Sequence, residues 1–294
     1  MPSDTQPEDL LDPSRYLYRT GSKLSSYPTR INHGFDKGDL KDELAEQRSA
    51  LVELQEKLYA NDAHSLLLIF QGMDAAGKDS TIKHVMTGIN PAGFQVHNFG
   101  KPTSNELAKS YLWRHWRALP ERGRIGIHNR SHYEEVLVVK VHPEFLQGRS
   151  IPNLTIDDAF WQGRYDDIVA MEDHLARSGT QVVKFFLNVS KDEQKNRFLS
   201  RLNEPEKFWK WNSADLQARA YWDDYQLAFA DAIEATHRKV APWYVIPADH
   251  KWTMRLIVAC LVRHHLQCMD PSFPAPTDEQ IDDIKRDKAA LEQE

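Results

Sequence analysis

Apolar and polar residues fall along this chain in blocks whose period changes. Between Asp39 and Tyr59, Leu40, Leu44, Leu51, Leu54 and Leu58 recur at helical spacing. SLLLIFQ at 65–71 is a continuous apolar run bounded by polar residues, the pattern of a strand buried on both faces. Further strands are expected at 94–99, 124–129, 180–189 and 241–247. Helices are expected between them. One follows the Gly-rich turn after the first strand; another opens at a Thr103–Glu106 capping box and runs to about Leu119. SHYEEVLVVKV at 131–141 reads as helical, and a long helix covers 155–177. Ser190 and Glu193 form a second capping box, opening a helical pattern to about Thr236 with a break near Asn203–Pro205. A last helix spans 252–267. Strands alternating with helices imply an α/β fold, a parallel sheet covered by helices on both faces. Residues 1–38 are expected as an irregular arm draped on one domain, 39–270, and 271–294 as a charged, solvated tail.

Composition narrows the function classes. Hydrophobic residues at 41% and charged residues at 27% can build a sizeable core, which argues against disorder. The 37 Lys+Arg against 43 Asp+Glu leave a formal charge of −6, so a phosphate-rich partner must meet a local basic site, and nucleic acid is not expected. Cys260 and Cys268 are too few for a disulfide framework, match no metal motif, and read as buried reduced thiols. The N-terminal MPSDTQPEDLLD is acidic with no apolar h-region, and runs such as Leu66–Phe70 are far too short to span a membrane. A cytoplasmic protein free of membrane is the expectation.

The sharpest motif is Gly72-Met73-Asp74-Ala75-Ala76-Gly77-Lys78, a G-x-x-x-x-G-K pattern between an expected strand and an expected helix. Gly72 and Gly77 let the backbone, with Ala75 and Ala76, wrap N–H groups around a phosphate; the helix adds its positive N-terminus and Lys78 a mobile charge. The usual Ser or Thr after the lysine is replaced by Asp79, followed by Ser80, while a carboxylate, Asp74, sits inside the loop. A carboxylate beside phosphates is costly unless a cation lies between, which makes Asp74 the first candidate for a magnesium ligand. Asp79 is ambiguous, because a helix first turn favours Asp on electrostatic grounds alone.

A second element is the strand ending in Asn129-Arg130. Asn129 is a neutral amide that can orient a water on magnesium, and Arg130 can clamp a transferring phosphoryl group. His128 and His132 read as packing or hydrogen-bonding residues. Glu134, one helical turn beyond, either faces the acceptor pocket or pairs with Lys140 on the surface. A third element is the capped segment from Ser190 to Lys207 and Lys210. Arg197 and Arg201 share one helix face there, in a stretch with too few acids to neutralise it, which suggests a lid over phosphates at about 190–215. Glu193 could instead pair with Arg197 on the surface, and Phe208, Trp209 and Trp211 read as packing residues.

QGMDAAGKDSTIKHV, IHNRSHYEEVLVVKV, NVSKDEQKNRF with NEPEKFWKW, and APWYVIPADHKW together resemble the polyphosphate kinase 2 family over about residues 30–270. The NRSHYE block is similar to the class acting on both nucleoside mono- and diphosphates; other classes carry Asp where this chain has Asn129. The resemblance implies a P-loop kinase fold with a helical lid, and magnesium-dependent, reversible phosphoryl transfer between inorganic polyphosphate and a nucleotide. It implies that Asp74 binds magnesium, Lys78 holds the transferred phosphate, Arg130 stabilises the transition state, Arg197 reaches in from the lid and Lys83 lines the polyphosphate path. Association as a homodimer or homotetramer is a further implication. The loop alone leaves open an ATP-dependent nucleoside monophosphate kinase; the four blocks together favour polyphosphate.

Overall fold

Five strands form the centre of the molecule: β1 (Ser65–Gln71), β2 (Phe94–Asn98), β3 (Ile125–Asn129), β4 (Thr180–Asn188) and β5 (Trp243–Pro247). The computed structural model describes residues 10–294 apart from Gly148, Ser150 and the side chain of Lys210. The strands lie in the order β2-β3-β1-β4-β5, and every neighbouring pair is parallel. Every residue of β1 is buried, as its unbroken apolar run requires of a central strand. Leu68 sits opposite Ile127 on one side and Val183 on the other. The chain leaves β1 toward one edge of the sheet and later returns to its opposite side, so β1 ends at the switch point where open α/β sheets form their clefts.

Among the described residues eight α-helices are longer than a single turn: α1 (Lys37–Asn61), α2 (Lys78–Val85), α3 (Asp158–Arg177), α4 (Lys191–Asn203), α5 (Ser213–Ala220), α6 (Trp222–Thr236), α7 (Lys251–Met269) and α8 (Asp278–Leu291). α7 packs along α1 and α2, while α3 and α6 pack together on the other side of the sheet. α1 starts where Asp36 accepts from the backbone of Gly38 and Asp39 and the Asp39 carboxylate reaches back to the Asp36 N–H. The described part of the N-terminal arm lies against β5. The Tyr18 N–H donates to Trp243 O and the Val245 N–H to Tyr16 O, and Leu10, Tyr16, Tyr18 and Leu24 are buried in the core.

Several expected elements come out differently. The Thr103–Glu106 box forms, but its helix is the single turn Ser104–Leu107, followed by a separate turn, Trp113–Trp116. Between and within these turns, Tyr111 donates to Asp167 and Arg114 to Gly100 O, so tertiary partners override local propensity. The expected helix at 131–141 is a 3₁₀ turn, His132–Glu135, and one α-turn, Val138–Val141. Its side chains are committed elsewhere: Tyr133 to Glu172, and Glu135 to Arg149 and Arg164. Most of the charged C-terminal stretch is the helix α8, largely exposed and opened by a Thr277–Gln280 capping box. Both cysteines are free thiols, yet only Cys260 is partly buried; Cys268 is exposed, on the solvent side of α7. Among the described residues no helix is long and apolar enough to cross a membrane.

One charge sits inside the core. Lys184, in the middle of β4, is 0% exposed. Its ammonium donates to Glu172 Oε2 at 2.5 Å, Thr236 O at 2.8 Å and the Tyr133 hydroxyl at 3.1 Å. The Tyr133 hydroxyl donates in turn to Glu172 Oε1 at 2.8 Å. Burial alone would push the Glu172 carboxyl up, but Lys184 and His132 outweigh it and hold it below the usual carboxylate range. Removing one member strands the other charge. Lys184→Met is expected to cost about 3–5 kcal/mol, and Lys184→Met with Glu172→Gln distinctly less. Urea unfolding of both variants checks this; a single-variant loss below about 1 kcal/mol would show that the pair is not what holds α3 to β4.

Candidate active site

The ends of β1, β2 and β3 and the starts of α2, α4 and α7 meet around the Gly72–Lys78 turn. The turn needs its glycines. Gly72 has φ +150°, and a Cβ there would lie 2.9 Å from Leu187 O; Gly77 has φ +109°, and a Cβ there would lie 3.0 Å from Met254 Cε. α2 begins at Lys78, directly behind Gly77. A cleft of about 920 Å³ opens over the turn, with Asp74, Ala75, Gly77 and Lys78 in its floor and Asn129 and Arg130 on the β3 side.

The peptide groups of the turn are sorted by direction. The carbonyls of Asp74, Ala75 and Ala76 all accept from side chains of α4. In a trans peptide the following N–H points away from its carbonyl; the N–H groups of Ala75 and Gly77, two residues that line the cleft, make no hydrogen bond among the described residues. The Ala76 N–H instead bonds Met73 O at 3.1 Å, and Ala76 is fully buried. Of the four loop residues expected to meet phosphate, Ala75 and Gly77 therefore line the cleft, whereas Gly72 and Ala76 shape the turn from behind.

Lys78 folds back on the loop, its ammonium 2.6 Å from Gly72 O and 3.2 Å from Met73 O. Burial, helped by the Arg130 charge, pushes its pKa down, against the pull of Asp74, Glu134 and Asp79. Arg130 follows β3 with φ +63°, held by its N–H to Phe70 O at 3.0 Å, and its guanidinium bonds Asp74 Oδ1 at 2.9 Å. Burial works against the Arg130 charge, but Glu134 and Asp74 overcome it and raise its pKa. Asn129 donates through Nδ2 to Asp79 Oδ1 and Asn98 Oδ1, while its own Oδ1 is buried without a partner.

Glu134 is half-buried behind Arg130 rather than in the cleft lining. Burial raises its pKa, Arg130 and Lys78 lower it, and Asp74 raises it again. The surface pair with Lys140 does not form; Lys140 donates to Asp231 at 2.7 Å and to Tyr165 at 3.0 Å.

The basic stretch after β4 is better neutralised than its composition suggests. Arg197 pairs with Glu193 at 2.7 Å, Arg201 with Asp215 at 3.5 Å, and Lys207 with Glu204. The Ser190–Glu193 box is half made: Ser190 caps α4, but the Glu193 carboxylate turns to Arg197 instead of reaching back. Arg197 and Arg201 line the cleft; Lys83 is exposed on α2 and does not. The Lys210 side chain lies outside the described residues. Trp211 packs edge-on against Phe198, whereas Phe208 and Trp209 are largely exposed. His128 bonds Ala118 O at 3.0 Å and His132 is fully buried against Tyr133; neither lines the cleft.

Lys251 and Arg255, one turn apart at the start of α7, also line the cleft, and sequence reasoning missed them. The available signal was a Lys and an Arg spaced i, i+4 at the start of a helix that follows a strand, a position where a cation opposes the helix dipole and so calls for an anion.

The family model described as polyphosphate kinase 2 matches residues 34–274. An ADP-polyphosphate phosphotransferase from Rhodopseudomonas palustris is 48% identical over 256 residues, 86% of this chain and 89% of that protein. An AMP/ADP-polyphosphate phosphotransferase from Meiothermus ruber is 45% identical over 233 residues, 79% of this chain and 83% of that protein. The crystal structure of polyphosphate kinase 2 from Arthrobacter aurescens TC1 superposes with a TM-score of 0.87 at 36% identity, covering 96% of this chain and 97% of that one. The matched stretch runs from just before α1 to just before α8 and takes in every strand and the whole cleft, and on that ground the chain belongs to the polyphosphate kinase 2 family.

Proposed function

We propose that this chain transfers a phosphoryl group reversibly between inorganic polyphosphate and a nucleotide, with ADP and AMP, and their guanine counterparts, as acceptors. The observation that carries this reading is a wall of cations short of counter-ions. Among the described residues, no carboxylate lies within ion-pair distance of Lys251 or Arg255, and Arg255 Nε is buried without a partner. Burial, and then the neighbouring Arg197, push the pKa of both groups down. Such an arrangement is relieved by a polyanion, and it extends the phosphate site beyond what the turn and Lys78 need for one nucleotide.

The chemistry asked of the site is in-line displacement. A terminal phosphate oxygen of the acceptor attacks the end phosphorus of the chain, and the bridging P–O bond to the rest of the chain breaks. The nucleophile is already anionic, so no strong base is required; positioning and charge compensation supply the catalysis. Lys78 would exchange its two carbonyl bonds for phosphate oxygens, and Arg130, with one carboxylate partner at 2.9 Å, has donors left for the phosphoryl group in transfer.

Magnesium fits the oxygen donors present. Asp74 faces the cleft, and the unpartnered Asn129 Oδ1 lies beside Asp79. Among the described residues no three His, Cys, Asp or Glu side chains form a closed cage, as suits an ion that shares its coordination with substrate phosphates. When bound, the ion neutralises charge on phosphate oxygens beside Asp74.

Three measurements test this reading. With magnesium and long-chain polyphosphate as sole donor, ADP should become ATP; readier turnover of ATP plus AMP, with polyphosphate inert, would favour the monophosphate kinase instead. Lys78→Met should keep its circular dichroism spectrum and lose about 10²–10³-fold in kcat; a folded variant within about tenfold of wild type would remove Lys78 from the chemistry. Glu134→Asn should lose AMP phosphorylation more than ADP phosphorylation, by about 1–2 kcal/mol in the ratio of kcat/KM values. The motive is a carboxylate with a raised pKa behind Arg130, which repels a longer phosphate chain directly but can hold a water or an ion that serves a shorter acceptor. An unchanged ratio would leave Glu134 without a part in acceptor choice.

A further inference from the structure

We propose that Arg197 is a positioning residue that locks the phosphate turn in its anion-binding shape, and not a cation that meets the phosphoryl group in transfer. A guanidinium has five N–H donors. In Arg197 all five are taken by protein. Nε donates to Glu193 Oε1 at 2.7 Å, Nη1 to Ala75 O at 2.9 Å and Ala76 O at 2.8 Å, and Nη2 to Ala248 O at 2.6 Å and Asp249 O at 3.3 Å. The side chain is 7% exposed although it borders the cleft. To reach a phosphate it would have to give up carbonyls that have no other side-chain partner among the described residues and leave them unsatisfied in a buried place.

The bonds fall on the side of the turn that matters. Ala76 O, held by Arg197 at 2.8 Å, and Asp74 O, held at 2.9 Å by Gln194 three residues before it, belong to the peptides that carry the Gly77 and Ala75 N–H groups, while Ala75 O, held by Arg197 at 2.9 Å, belongs to the peptide between them, whose N–H bonds Met73 O. Gln194 is itself held by Arg219 at 2.9 Å. Three consecutive carbonyls are thus fixed from behind by α4, and the cleft-facing N–H groups cannot rotate away. A positive charge on the carbonyl side also polarises these peptides, which makes their N–H groups stronger donors. The same guanidinium ties the turn between β5 and α7, just before Lys251, to the loop, so the two halves of the phosphate site share one anchor.

This inference rests on the reading of the turn as the phosphate site, and the test separates the two. The variants are Arg197→Met, Arg197→Lys and Gln194→Ala, the last removing one carbonyl anchor but no charge. The probe is tripolyphosphate with magnesium and no nucleotide, titrated by calorimetry, alongside kcat and KM for ADP with polyphosphate and the melting temperature of each protein. Arg197→Met should weaken tripolyphosphate binding by about tenfold or more, and kcat/KM should fall in step with binding. Arg197→Lys, which can restore at most three of the five bonds, should recover part of the loss. Gln194→Ala should shift binding and kcat/KM in the same direction by about threefold. The proposal is overturned if Arg197→Met binds tripolyphosphate within about twofold of wild type while kcat collapses and Gln194→Ala behaves as wild type; Arg197 then acts on the transition state. It is equally overturned if Arg197→Met lowers only the melting temperature and the folded protein keeps its binding and kcat. Wild-type protein that binds no tripolyphosphate would remove the phosphate-site reading, and the proposal with it.

Discussion

Each peptide in the Gly72–Lys78 turn has to satisfy two poles that point in opposite directions. An anion can be held by the N–H side only if the carbonyl side is satisfied by something else, and that something must be rigid. In this chain it is the first two turns of α4, through Gln194 and Arg197. α4 is placed by Ser190, whose N–H donates to Asp249 Oδ1 at 2.7 Å, and Asp249 also accepts from Thr29 of the N-terminal arm at 2.8 Å. The arm, the end of β5, the start of α4 and the turn after β1 are therefore one hydrogen-bonded unit. The cleft is its exposed side.

Electrostatics in the cleft follow from the same crowding. The chain as a whole carries a formal charge of −6, yet the cleft gathers Lys78, Arg130, Arg197, Lys251 and Arg255. Acids divide these cations into two groups. Arg130 stands between Glu134 and Asp74, which outweigh its burial, and its pKa rises; burial lowers the pKa of Lys251 and Arg255, and the neighbouring Arg197 lowers it further. The first group is in balance before any substrate arrives. The second is not, and gains most from an incoming chain of phosphates.

The sheet was readable in the sequence because burial on both faces demands unbroken apolar runs, which SLLLIFQ and APWYVIP supply. The turn was readable because only glycine can take the φ of Gly72 and Gly77. Residues 103–119 and 131–141 were harder: both have helical patterns, but Tyr111, Arg114, Tyr133 and Glu135 find distant partners that a local pattern does not contain. The bonds of Arg197 were harder still. A side chain that binds backbone carbonyls leaves no complementary residue to be found along the chain, whereas the Glu193 pairing, at helical spacing, is visible at once. The same holds for the acids of the stretch after β4: Asp215, which answers Arg201, comes from the next helix and only the fold brings it back.

An all-parallel sheet has two rims where backbone groups lack a neighbour, and a bare rim invites another chain to pair with it. The arm closes one of them. Leu17 bridges Tyr244 in antiparallel sense, and the backbone bonds of Tyr18 and Val245 sit on either side, so β5 meets solvent behind a strap of its own chain. At the far rim β2 is only five residues long and alternates Gln95, His97 and Asn98 with Phe94 and Val96, a poor template for stacking. A chain shortened past Tyr18 would thus lose more than buried side chains: it would present the rim of β5, with Trp243, Val245 and Ile246 behind it, as an adhesive edge to other molecules of the same protein.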